Sequence, residues 1–102
     1  MTGSELIAAE RQRQIDVEGW SSNHDDKQMR GDLIASAHAY LHEAETQIMF
    51  GLPVSRDRVP KKWPWDKKWW KPSDDPIRNL VKVGALIAAA IDKLQREKAR
   101  ER

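Results

Sequence analysis

The sequence predicts an all-α fold: a small three-helix bundle, with a fourth helix open as an alternative, and a long Trp/Pro-rich loop between the second and third main helices. Three observations carry this reading. Apolar residues recur at the helical period in three separate stretches. No alternating strand pattern of useful length competes with them. Glycine or proline stands where the stretches end, at Gly19, Gly51 and Pro53. The 102 residues are expected to make a single domain, 1–102.

The first helix is expected from about Ser4 to Glu18, with Ser4 as cap and Gly19 as stop. Leu6, Ile7, Ile15 and Val17 are its sparse apolar residues. Between them Glu10-Arg11-Gln12-Arg13-Gln14 is too polar for a deeply buried helix. Ser21–Asp26 reads as a turn-rich connector, because Ser, Asn and Asp side chains compete for backbone hydrogen bonds. The second helix starts between Asp26 and Asp32 and reaches about Phe50. Leu33, Ala37, Tyr40, Leu41, Ala44 and Ile48 give it one apolar face.

From about 52 to 73 the period vanishes and Pro53, Pro60, Pro64 and Pro72 break any regular element. The third helix has the best start signal, with Asp74 and Asp75 as caps and Pro76 in first position. Its apolar face is read as Ile77, Leu80, Val81, Gly84, Ile87, Ala88, Ile91 and Leu94. Gly84 and the alanines beside it would let another helix come close. The charged tail, about 95–102, is expected to fray or extend into solvent.

The totals exclude several classes. A formal net charge of +2 is too small to argue for nucleic acid on charge alone, so a nucleic-acid partner is not expected. There is no cysteine, hence no disulfide framework and no thiolate metal site. Met1–Ala9 lacks the basic start and apolar core of a signal peptide. Val83–Ile91, the longest apolar stretch, is about half the length of a membrane helix. A soluble, cytoplasmic protein without a membrane partner is the expectation. A core this small also favours a homo-oligomer.

Four constellations could carry chemistry. Trp63, Trp65, Trp69 and Trp70 alternate with lysines up to Lys71. Such rings can stack on a base while an ammonium neutralises phosphate. The same rings could instead fold back and cap the helices, or form a protein-binding patch. His24-Asp25-Asp26, after Trp20, could hold a metal or a ribose hydroxyl, although capping the next helix is the commoner use of such carboxylates. His38 and His42, four apart with Glu45 beyond, have zinc-compatible spacing but read as the polar border of a buried face. Arg11, with Gln12, Arg13 and Gln14 on the polar first helix, could clamp a phosphate, with Arg78 and Lys82 adding charge near a helix N-terminus, although such a run is more often a solvated face. No nucleophilic triad, phosphate-binding glycine loop or paired acid and base carboxylates are recognisable, so no catalytic residue, metal ligand set or cofactor is assigned.

Taken together, Glu10-Arg11-Gln12-Arg13-Gln14, Glu18-Gly19-Trp20, His24-Asp25-Asp26, Gly31-Asp32-Leu33, Tyr40, Trp63-Pro64-Trp65-Asp66, Trp69-Trp70-Lys71-Pro72 and Leu80–Ile87 resemble a family of small phage and prophage proteins. The resemblance covers nearly the whole chain and implies a viral protein expressed in the bacterial cytoplasm. It transfers no site. A weaker similarity, in the Glu-Arg-x-x-Gln start, the following tryptophan and the late Lys-Val-Gly-Ala-Leu helix, is to MazG-like nucleotide pyrophosphohydrolases. Those all-α enzymes hold Mg²⁺ with clustered glutamates. Here the corresponding helix reads Ala35-Ser36-Ala37-His38-Ala39-Tyr40 and the late helix offers only Asp92. Without that cage phosphoryl chemistry loses its main charge stabilisation.

The leading expectation is a phage protein that sequesters a signal nucleotide of bacterial immunity, cyclic or of ADP-ribose type, without catalysis. Its ligand-binding residues would be Arg11, Gln14, Trp20, His24, Asp25, Trp63, Trp65, Trp69, Trp70, Lys71 and Arg78. The alternatives are an inhibitor that binds a host defence or metabolic protein, and a pyrophosphohydrolase with unusual metal ligands.

Overall fold

Thr2, not Ser4, caps the first helix, α1 (Gly3–Asp16). Its hydroxyl accepts the Glu5 N–H at 3.2 Å, and the Glu5 carboxylate accepts the Thr2 N–H at 3.0 Å. This reciprocal capping box satisfies two donors at once, which Ser4 cannot do two residues further in. The helix ends at Asp16, two residues before the expected Glu18. Gly19 then turns the chain back with φ 74°, and the Trp20 N–H reaches the Gln14 carbonyl at 2.9 Å. The computed structural model describes residues 1–29, 31–54 and 56–101.

The expected connector Ser21–Asp26 contains a helix instead. In α2 (Ser22–Asp26), Ser21 is the cap and accepts the His24 N–H at 3.3 Å. The same residue types serve turns and helix starts, and here the start wins. The two carboxylates do not cap the next helix. Asp25 is buried against Arg11 at 2.7 Å, and Asp26 binds Arg96 and Arg100 at 2.8 Å each. The next helix, α3 (Asp32–Phe50), starts after Gly31 with no side-chain cap and stops at Gly51 in the left-handed region.

Among the described residues between Gly51 and Asp75 the chain is irregular apart from one 3-10 turn at Lys67–Trp69. Asp75 then caps α4 (Pro76–Arg100), accepting the Ile77 N–H at 2.9 Å with Pro76 in the first turn. The expected fraying tail is helical through Arg100. Arg96 and Arg100, one turn apart, both hold Asp26 of α2, and their hydrogen bonds keep that carboxyl at about 2.

Helix α4 is central, and α1, α2 and α3 each pack on it. Among the described residues no other helix pair brings its backbones together, and no helix is long and apolar enough to cross a membrane. The core joins Leu33, Ala37, Tyr40 and Ala44 of α3 to Val81, Ala85, Leu86, Ala89 and Ala90 of α4, with Trp70 from the loop. The expected apolar face of α4 is therefore corrected. Val81 is buried, whereas Ile77, Leu80, Ile87, Ile91 and Leu94 are exposed. The alanine face lies inward because small side chains permit close helix approach, and tryptophans fill the remaining volume. Gly84 serves the close approach foreseen for it: an added Cβ would run into Ile7 of α1.

Candidate functional site

An aromatic ladder joins the core to the surface. Tyr40 lies 4.8 Å from Trp70 and edge-on to Trp63 at 5.7 Å, ring centre to ring centre. Trp63 stands edge-on to Trp65 at 5.3 Å, Trp65 is tilted against Trp20 at 6.3 Å, and Trp20 stacks on His24 at 5.8 Å, only 4° from parallel. These are the offset and edge-to-face geometries that ring quadrupoles favour. The outer rings are pinned by their N–H groups. Trp63 donates to the Asp66 carbonyl at 3.1 Å, and Trp65 donates to the Gln28 side-chain oxygen at 2.8 Å. Asp66 in turn caps the 3-10 turn through the Lys68 N–H at 2.9 Å.

The outer end of the ladder opens into a cleft of about 490 Å³, lined by Val17, Glu18, Trp20, His24, Gln28, Trp63, Trp65, Asp66 and Trp69. That volume falls within the range of small-molecule sites. Trp69 is its exposed wall, 47% accessible, with the ammonium groups of Lys68 and Lys71 at 5.3 and 5.6 Å from its ring. Beside it lies a narrower cleft that shares Glu18, Trp20, Trp63, Trp65 and Trp69 and adds Glu10, Arg13, Gln14, Lys71 and Lys82.

Charge in the second cleft is unevenly compensated. Glu10 is buried and receives Arg13 at 2.8 and 3.0 Å and Arg78 at 2.5 Å. Burial alone would raise its pKa, but the hydrogen bonds from Arg13 and Arg78 outweigh it and hold the carboxyl below its usual range. Lys82 donates to the Lys71 carbonyl at 2.6 Å and lies 5.1 Å from the Tyr40 ring centre, with no carboxylate partner among the described residues. Burial, then the neighbouring Arg78, lowers it to about 8. Burial pushes Tyr40 up to about 12. The Gln14 side-chain oxygen is a buried acceptor with no partner among the described residues.

The eleven residues expected to bind a ligand fall into two groups. Trp20, His24, Trp63, Trp65 and Trp69 line the larger cleft, and Gln14 and Lys71 line the smaller one. Arg11, Asp25, Trp70 and Arg78 line neither and act behind the walls. Arg11 is engaged by Asp25 and also reaches the Trp20 carbonyl at 3.4 Å. Trp70 is core, and Arg78 is spent on Glu10. A nearly isolated charge cannot be left buried, so the carboxylates Asp25 and Glu10 capture the arginines. The sequence does not single out Val17, Glu18, Gln28 and Asp66, nor Glu10 and Tyr40, as site residues; Lys82 enters only as added charge near a helix N-terminus and Arg13 only within the polar run of the first helix. Glu18 and Asp66 flank tryptophans directly in sequence, which was an available signal. Gln28 had none.

His24 lies 3.3 Å from Asp25, but Asp25 is held by Arg11 and Asp26 by Arg96 and Arg100, and among the described residues no group of three or more His, Asp or Glu side chains is placed to hold a metal ion. Comparison of the chain with protein-family models, with curated proteins and with solved structures finds no match.

Proposed function

We propose that this chain binds a nucleotide across the two clefts and holds it unchanged. The base stacks among Trp20, Trp65 and Trp69, and the phosphate turns toward Lys71 and Lys82. The observation that carries the reading is the shared wall: a ring-lined cleft of about 490 Å³ opens beside a second one that carries Lys71 and Lys82. Stacking contributes roughly 1–3 kcal/mol per base and tolerates any base, so affinity comes from the rings and orientation from the charges. The hydrogen bond from the Trp65 N–H to Gln28 holds that ring in place before binding, which favours tight capture. The ligand class proposed is a cyclic or ADP-ribose-type messenger of bacterial immunity, and the purpose proposed is its removal from a host cytoplasm.

The test is thermal unfolding against cyclic dinucleotides, cyclic trinucleotides, ADP-ribose isomers and deoxynucleoside triphosphates, with Mg²⁺ or chelator. At a hundred times the dissociation constant, binding stabilises by about 2.7 kcal/mol, which a domain of this size reports as several degrees or more. The expected result is a shift with one class, unchanged by chelator, with intact ligand recovered on denaturation. Trp65→Ala should abolish the shift while leaving the far-ultraviolet helical signal. A chelator-sensitive product would turn the assignment to hydrolysis. A flat panel would sink the nucleotide reading for the compounds tested and favour docking of a host protein on the exposed Trp69 edge.

A further inference from the structure

The side of α4 facing away from the clefts carries a strip of exposed apolar residues, bordered by Ile7 of α1 where it meets Gly84. Leu80, Ile87 and Leu94 stand seven residues apart along it, and Ile34, Leu41 and Ile48 stand seven apart along α3. Each is between 39% and 58% exposed. Ile34 and Leu94 line one shallow groove, while Gln47 and Asn79 meet by a 2.8 Å hydrogen bond at the other end. The two helices are thus antiparallel, and equal steps keep the rows side by side, Leu41 with Ile87 and Ile48 with Leu80. Ile77 and Ile91 continue the α4 row. A strict seven-residue repeat is the spacing of a helix seam that meets another helix, and a lone domain of this size has no use for two.

Charge distribution selects the occupant. The start of α4 carries Asp74, exposed and only loosely approached by Arg56 at 3.5 Å, beside the cap Asp75. Its other end carries Lys98, exposed and seven residues beyond Ile91 on the same face. An antiparallel copy of α4 centred on Ile87 places residue 98 against residue 76, so acid meets base at both ends and the helix dipoles oppose. The exposed side chains of the two rows offer on the order of 700 Å² per copy, close to the roughly 800 Å² per partner of a standard stable interface. We propose that α3 and α4 form the interface of a two-fold symmetric homodimer, in which Leu80 meets the partner's Leu94 and Lys98 lies beside the partner's Asp74. This goes beyond the nucleotide reading and does not rest on it. Joining two antiparallel helix pairs gives a four-helix bundle, a standard way to bury two such seams.

Sedimentation equilibrium of the purified chain across the micromolar range tests it. The expected mass is twice the 11.8 kDa of one chain. Ile87→Lys puts two ammonium groups on the axis and should weaken association at least about a hundredfold while helical content persists. Lys98→Glu and Asp74→Lys, both at exposed positions, should each weaken the dimer, and their combination should restore it. A monomeric wild type, a larger assembly, or a dimer indifferent to Ile87→Lys would overturn the proposal. Failure of the paired charge reversal to restore association would overturn the antiparallel arrangement.

Discussion

Burial brings the titration of Lys82 in the second cleft down to about 8. Arg13 is committed to Glu10 and Glu18, and Lys71 is exposed beside Trp69. Lys82 faces Arg78 on its own helix, Glu10 and Arg13 on α1 and Lys71 from the loop, and it is lowered to about 8. A phosphate beside it would favour the protonated form, so bound Lys82 titrates higher than free Lys82. Affinity is then highest below pH 8 and falls as pH rises above it, by up to about tenfold per unit until the bound form also loses its proton. Folding stability moves the opposite way. The unfolded lysine keeps its proton up to its ordinary 10.5, so the unfolded state binds more protons between about 8 and 10.5 and stability rises with pH there. Lower affinity at pH 9 therefore would not reflect unfolding. Titrations of ligand into wild type and Lys82→Gln at pH 7 and 9 check this. A pH dependence that survives the substitution would remove Lys82 from the phosphate site.

At the scale of elements, the contact between α1 and α4 turns on one missing methyl group. Alanine at position 84 should gain about 1 kcal/mol in helix propensity. It should nonetheless destabilise the protein by roughly 1–3 kcal/mol, because the added Cβ meets the branched Ile7 side chain, not merely its far end. Ile7→Ala in the Gly84→Ala background should recover part of the loss, measured by urea unfolding. If Gly84→Ala is neutral or stabilising, α1 is not seated as described. The close approach at Gly84 was legible in the sequence because small residues at helical spacing carry only one such message. The faces of α4 were not. Periodicity locates an apolar stripe but does not say whether it meets the same chain, and here the alanines went inward while the isoleucines and leucines stayed out. Periodicity also missed α2, whose Ser-Asn-His-Asp-Asp composition suits a turn and a helix start equally. In the site, the tryptophans were visible by type alone. The partition of Arg11, Asp25 and Arg78 into buried ion pairs was not, because each partner lies on another helix or a full turn away and only the folded chain brings them together.

For the whole molecule, α4 divides two surfaces that should work independently. At about 100° per residue, Ile87 and Ile91 lie nearly half a turn from Lys82, so the exposed apolar strip and the cation-bearing cleft occupy opposite sides of one helix. Lys82 and Lys93 confirm the orientation of the loop side, reaching the carbonyls of Lys71 and Gln28. In the proposed dimer the clefts lie away from the interface, and each copy would carry its own cleft facing outward. Tryptophan-fluorescence titration of Ile87→Lys should therefore give a dissociation constant within about twofold of wild type, as for sites with no shared partners. Trp65→Ala should do the reverse, losing ligand while sedimenting as wild type does. A tenfold loss of affinity in Ile87→Lys would mean that the second copy shapes the cleft through α4, which would tie sequestration to assembly and make capture of the nucleotide depend on protein concentration.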